Sequence, residues 1–469
     1  MLTRQSLLKL LKIPSLLNKK WFVSSLFFAL VVLLSLGLGA TGGFLYQNWQ
    51  NRNKTDAVLG QERSSYLVFT EEIYHKIKNN HWKVTSEEDL VNLYFLAIEK
   101  LTGQIQASSP QDLSSLLVSV ENILEQIETE EAREDFVVQL NNLVLNNLEP
   151  FGRSQLYRQK EEQELNDMVL NVAKQDHYQV LGLNKEASQE EISQAHQNLN
   201  QTLSQDSTPE AKEKLAQVGQ AYRILGNESA RQIYDVSGVE PTIEYRLIRN
   251  NIFHLHLKSF SPATFDELQR ATQKVQGLPG VDTLVLDLRN NIGGAIDNLP
   301  YLLGPFIGQD RHAYQFFHQG KRIDYKTRIG WLPSLFQYKK VVILINENSQ
   351  SSAEVVASVL KKYNVGVLVG NTTRGWGTVE KIFRLETQIN QNETYSLFLA
   401  HSLTLREDGQ PIEGLGVEPH IFTSNPNWQR DLYSYLPDQN IVDTVEQILA
   451  ESNPTPLELN KETPSEDKE

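Results

Sequence analysis

The 469-residue chain contains no cysteine, which excludes a disulfide framework, thiol catalysis and thiolate metal sites. Positive charge is also short: 44 lysines and arginines face 58 acidic residues, a formal net charge of −14 with a pI near 5.3. Without a basic field to neutralise phosphates, a nucleic-acid partner is excluded. No cofactor and no metal site are expected. With a typical domain size of about 150 residues, the length of 469 leaves room for two or three domains.

A charge-free apolar run extends from Phe22 to Leu45, bracketed by Trp21, Tyr46 and Trp49. Arg4, Lys9, Lys12, Lys19 and Lys20 precede it; Arg52, Lys54 and Arg63 follow it. Length, aromatic brackets and charge bias predict a transmembrane anchor over 21–46, in contact with a lipid bilayer. The basic segment 1–20 is then cytoplasmic and the rest of a single-pass protein lies outside, periplasmic or extracellular. A cleaved signal peptide is the alternative, given the small residues Gly39-Ala40-Thr41-Gly42-Gly43; the length of the run favours retention.

From 60 to 165 the periodicity is helical. Ser86 before Glu87-Glu88-Asp89 predicts a cap, and Leu113, Leu116, Leu117, Val120 and Leu124 predict a core stripe. Between 174 and 237 four short helices are expected, with Ser188 and Glu191 as a capping box. Asp176-His177-Tyr178-Gln179-Val180-Leu181-Gly182, Ala221-Tyr222-Arg223-Ile224-Leu225-Gly226 and Arg231-Gln232-Ile233-Tyr234-Asp235 resemble a DnaJ-type J domain in their order. The resemblance implies a His-Pro-Asp signature in the central loop. Ser204-Gln205-Asp206 stands there instead, and the neutral Gln194-Ala195-His196-Gln197-Asn198 replaces the basic docking helix, so a DnaK-type chaperone partner is not expected.

The segment 241–424 is centred on a strand, Val341-Val342-Ile343-Leu344-Ile345, followed by Ser349, Ser351 and Ser352 at the start of a predicted helix. Serines at that place act as caps, or as nucleophiles beside free N–H groups that stabilise an oxyanion. This stretch resembles the core of the C-terminal processing, or tail-specific, serine peptidases. The same family is suggested by Asp287-Leu288-Arg289-Asn290-Asn291-Ile292-Gly293-Gly294 and by Asp408-Gly409-Gln410-Pro411-Ile412-Glu413-Gly414-Leu415-Gly416-Val417-Glu418-Pro419. It implies a ClpP/crotonase-like βα domain that binds an extended or C-terminal polypeptide segment. By the same resemblance, Ser351 is the nucleophile position, and the N–H groups of Gly293, Gly294 and Ser352 surround the oxyanion.

The family's general base is a buried neutral lysine. Laying its pattern over Gly375-Trp376-Gly377-Thr378-Val379-Glu380 puts Trp376 at the lysine and Glu380 at a supporting glutamine. An indole only donates and cannot take a proton. Arg374 stays protonated, and Lys381 is predicted to face the other side of the strand. Glu380, packed against an indole, is one alternative base. An imidazole from His254, His256, His312, His318 or His401 is another.

The expected fold is therefore α+β with α/β character: a transmembrane helix, a helical region, a J-like four-helix insert and the peptidase-like domain. An extension over 425–450 and a disordered acidic tail over 451–469 follow. Three functions compete: a binding pseudopeptidase, a serine peptidase with an unusual base, and a membrane-tethered J-like adaptor whose peptidase fold is a homodimer platform.

Overall fold

The computed structural model describes residues 63–103, 112–406 and 408–451. The chain begins there with α1 (Ser65–Asn80), α2 (Glu87–Thr102), α3 (Leu113–Gln126) and α4 (Glu130–Asn146). Helix α2 starts where Ser86 Oγ accepts the Asp89 N–H at 3.0 Å and stops at Gly103, whose φ of 67° suits glycine. Leu116 and Val120 from α3 and Leu140 and Val144 from α4 share a core with Phe69, Ile73, Leu90 and Tyr94. The same core takes in Leu397 and Leu399 from far along the chain. They arrive because β1 (Gln155–Arg158) pairs antiparallel with the late strand Tyr395–Leu405.

Next come α5 (Gln159–Leu170), α6 (His177–Val180), α7 (Gln189–Leu203), α8 (Pro209–Leu225) and α9 (Glu228–Ser237). The Glu191 N–H donates to Ser188 Oγ at 3.2 Å, and the Ser188 N–H donates to Glu191 Oε2 at 2.7 Å, so α7 opens on a capping box. Ile192, Val218, Ala221 and Leu225 bury a small core around Tyr178. The Tyr178 hydroxyl donates to Asp235 at 2.8 Å and accepts from Arg231 at 2.7 Å, tying α6 to α9.

The remaining elements are β2 (Ile243–Ile248), β3 (Ile252–Leu257), α10 (Thr264–Val275), β4 (Thr283–Asp287), α11 (Leu299–Ile307), β5 (His312–His318), β6 (Lys321–Lys326) and β7 (Lys340–Ile345). After them come α12 (Ser352–Lys362), β8 (Val367–Gly370), β9 (Thr378–Arg384), β10 (Tyr395–Leu405), β11 (Ile421–Phe422), α13 (Trp428–Tyr435) and α14 (Gln439–Ala450). One sheet runs β11-β8-β7-β4-β3-β2, parallel except where β2 meets β3. Strands β4 and β7 are covered on both faces: Leu284, Leu286, Ile343 and Ile345 face the main core, while Val285, Val342 and Leu344 face Trp428, Leu432 and Val445 of α13 and α14. That two-sided burial explains their uninterrupted apolar sequence. A second sheet runs β1-β10-β5-β6, with β9 also paired to β10.

The mixed architecture agrees with the sequence, but the membrane-spanning part of the expected fold is corrected. Among the described residues no helix is long and apolar enough to cross a membrane. The longest described helices, α4 and α8, have 17 residues each and carry charged faces, whereas a span needs about 20 apolar residues. The single-pass localisation is overturned on the same ground. The segments 1–20 and 21–46 on which it rested lie outside the described residues, as does the tail from 452 onward.

Candidate active site

Strand β7 ends at a turn whose Ser349 Oγ donates to Leu288 O at 2.7 Å and accepts the Asn346 N–H at 3.0 Å. The turn delivers Ser351, half-buried, to the N-terminus of α12 at φ 55° and ψ −122°. That backbone is costly for a residue with a Cβ. It is held by Glu354, a fully buried carboxylate. Glu354 Oε2 accepts the N–H groups of Ser351 (2.9 Å) and Trp376 (2.8 Å), and Oε1 accepts the Gly375 N–H (2.7 Å) and the Thr373 hydroxyl (2.6 Å). Because Ser351 and Trp376 donate to one oxygen, the serine turn and the tryptophan turn are locked face to face. Burial pushes the Glu354 carboxyl above its ordinary value, against the lowering effect of these four donors.

The Gly293-Gly294 turn lies against the serine. A Cβ at Gly293 would come within 2.7 Å of Ser351 Cβ, and one at Gly294 within 2.1 Å of Phe260 O, so neither position admits a side chain. The Gly293 N–H is already donated to Asn291 Oδ1 at 2.8 Å. Among the described residues no hydrogen bond engages the N–H groups of Gly294 or Ser352, and Ser352 Oγ donates to Gly294 O at 2.9 Å. Of the three expected oxyanion donors, two remain available.

At the expected base position, Trp376 Nε1 donates to Glu380 Oε1 at 3.2 Å, and the Thr378 hydroxyl donates to the same oxygen at 2.5 Å. Burial raises the Glu380 carboxyl above its ordinary value, against those two donors. The Arg153 guanidinium lies 3.6 Å from the centroid of the indole, a cation–π contact. Arg153 is fixed by two hydrogen bonds to Glu413 Oε1 (3.1 and 2.8 Å), while Glu413 Oε2 accepts the Gly377 N–H at 2.7 Å.

Among the described residues, no amine or imidazole hydrogen-bonds to Ser351 Oγ, and each candidate base is engaged elsewhere. Lys381 Nζ lies 3.4 Å from His401 Nε2. His401 stacks on His318 at 4.2 Å, and its pKa falls to about 4 through burial and the nearby Lys381 and His318 charges. His254 Nδ1 accepts from Arg246 and its Nε2 faces Asp287 at 3.2 Å. His256 meets Arg289 O at 3.3 Å, and His312 meets Asp324 at 3.4 Å. No group of His, Asp and Glu side chains among the described residues converges to hold a metal ion. Ser204, Gln205 and Asp206 form the exposed connection between α7 and α8, with Asp206 accepting the Thr208 N–H at 2.9 Å.

Glu354, Arg153, Glu413 and Asn291 are missing from the sequence-based site. Glu354 had a signal, since it stands at the third helical position after Ser351, the place of a capping-box carboxylate. Arg153 had none, because a long-range stack leaves no periodic trace.

Residues 251–423 match the family model described as peptidase family S41, and residues 176–235 match the DnaJ domain. The chain is 29% identical over 188 residues to a carboxy-terminal-processing protease of Bartonella bacilliformis, covering 39% of this chain and 41% of that protein. It is 28% identical over 193 residues to the carboxy-terminal processing protease CtpA of Bacillus subtilis, covering 40% and 38%. The match thus spans about two fifths of the length of these curated relatives. Among solved structures, a photosystem II D1 C-terminal processing protease superposes with a TM-score of 0.44 at 14% identity, covering 77% of this chain and 93% of that one. A lipoprotein from Streptococcus agalactiae gives 0.42 at 14% identity, covering 81% and 98%.

Proposed function

The chain carries a domain of peptidase family S41, that of the C-terminal processing serine peptidases, and a DnaJ-type domain ahead of it, and from that premise we propose that it is a pseudopeptidase. It holds extended polypeptide in a peptidase cleft, by strand addition, without cutting it. The observation that carries this reading is the state of the base position. Trp376 fills it, donates its only polar hydrogen to Glu380 and is covered by Arg153. The lone pair of the indole nitrogen belongs to the aromatic π system and cannot accept the Ser351 proton. In a serine hydrolase that acts as a unit, loss of the base alone costs on the order of 10⁶ in turnover. Ser204-Gln205-Asp206 supports a structural rather than a chaperone-stimulating part for the DnaJ-type domain.

The second reading, an active peptidase with Glu380 as base, draws on the Ser351 turn and the unengaged Gly294 and Ser352 N–H groups. Treatment of the full chain with a fluorophosphonate probe separates the two. The pseudopeptidase leaves the probe unreacted, and Trp376→Lys combined with Glu380→Gln acquires labelling. Labelling of the unaltered chain that disappears in Ser351→Ala would establish the enzyme instead.

A further inference from the structure

Where α8 and α9 of the DnaJ-type domain meet β2 and α10, a cavity of about 90 Å³ opens, away from Ser351 and Trp376. Ile224, Ile233, Ile243 and Ala271 supply an aliphatic wall. A cavity of about 150 Å³ takes benzene, so this one has room for about four carbons, the size of a leucine side chain. Its two carboxylates are committed. Glu244 is held by Lys258 at 2.9 Å and Arg223 at 3.4 Å, and Glu267 Oε2 accepts the N–H groups of Thr242 (2.7 Å) and Ile243 (3.0 Å). Arg270 and Lys274, one turn apart on α10, are exposed and close no ion pair among the described residues; Lys274 rests over the Tyr245 ring at 5.6 Å. The uncommitted charge at the cavity is therefore positive, in a chain whose net charge is −14.

Helix α14 brings the chain close to this cavity. Glu451, directly after the helix, pairs with Arg246 of β2, and Ile243 and Tyr245 of the same strand line the cavity. At about 3.3 Å per residue, Arg246 and Ile243 are about 10 Å apart along the strand. Arg246 meets Glu451 on the α14 side of the sheet, whereas Ile243 belongs to the core on the α10 side. Because β2 is the edge strand, no further strand separates the two sides. The segment 452–469 lies outside the described residues. Its sequence holds five acidic residues against two lysines, and apart from prolines its only apolar side chains are Leu457 and Leu459. Leu457 follows Glu451 by six positions, and six extended residues reach about 20 Å.

We propose that the cavity is the docking site of this chain's own segment Leu457-Glu458-Leu459. A leucine side chain enters the aliphatic wall, and Glu458 and Glu462 come to lie near Arg270 and Lys274. The terminal carboxylate takes no part. Too polar to bury a core of its own, the segment finds here the apolar surface it lacks. Because the wall comes from both domains, the docked segment straps the DnaJ-type domain to the peptidase domain. The strap does not depend on whether Ser351 reacts, so it stands or falls separately from the pseudopeptidase reading.

The absence of cysteine allows single thiols to be placed in the full chain without background. Leu457→Cys, Leu459→Cys and, as a reference, Ser465→Cys are each treated with an aromatic disulfide reagent at low ionic strength. A thiol is a small hydrophobe that can still enter the cavity, and burial there slows its reaction. At least one of the two leucine positions is expected to react about tenfold or more slowly than the reference. Arg270→Glu combined with Lys274→Glu, both at exposed positions, is expected to speed that reaction about threefold or more, and Glu458→Lys with Glu462→Lys added to them to slow it again. Rates equal to the reference at both leucine positions, or protection that the charge reversal leaves unchanged, would overturn the proposal. So would protection that rises with protein concentration, which would assign the cavity to the segment of a second copy.

Discussion

Ser351 carries its side chain at a φ of 55° that glycine tolerates far better. The strain is maintained by the Glu354 carboxylate and by the glycine facing it. Ser351→Gly relieves it and is expected to stabilise the fold by about 1 kcal/mol, the relief of a strained backbone less the added freedom of glycine in the unfolded chain. A shift of the urea midpoint to higher concentration at unchanged slope checks this. An unchanged or lower midpoint would mean that the turn is unstrained. That Trp376 and Glu380 meet on one strand face was legible in the sequence, because residues four apart on a strand point the same way. Asn291, which takes the Gly293 N–H, was not, because only the folded turn shows which donors are already spent.

Elements read well where the signal was local. The caps at Ser86 and Ser188 form as their spacing implied, and Lys381 points away from Trp376 to meet His401, as strand alternation requires. Elements whose partner lies far along the chain did not read at all. Strand β1 is four residues long, too short to announce itself, and gains its identity by pairing Gln155–Arg158 with Tyr395–Phe398. Just before it, Arg153 bridges the helical region to the turn that precedes β9 through Trp376 and Glu413. A double-mutant cycle with Arg153→Ala and Trp376→Ala should return a coupling energy of about 0.5–2 kcal/mol. Strict additivity would show that the stack contributes nothing. The apolar pattern from Phe22 to Leu45 made the strongest local argument of all, yet the described helices offer no span.

At the scale of the whole molecule, a buried chain of charges links the first strand of the main sheet to the last helix. Glu451 pairs with Arg246, which donates to His254 at 3.1 Å; His254 faces Asp287, which in turn accepts Arg289 Nη2 at 2.7 Å. Burial alone would raise the Asp287 carboxyl, but the hydrogen bonds from His254 and Arg289 outweigh it and hold it well below the usual carboxylate range. The unfolded chain therefore takes up this proton first. The stabilisation is complete above the ordinary carboxylate pKa of about 4 and drains away as the pH falls below it. Asp287→Asn is expected to lower Tm at neutral pH and to flatten the fall of Tm between about pH 5 and pH 2. An undiminished acid slope in the variant would assign the acid sensitivity to other carboxylates.

Since Gln155–Arg158 is stitched into the same sheet as Tyr395–Leu405, the stretches of polypeptide before and after the DnaJ-type domain are held together independently of it. A protease site engineered into the exposed Ser204–Asp206 connection would therefore yield two fragments that co-elute as one species on gel filtration. They would part only once urea has undone the shared strand pairing.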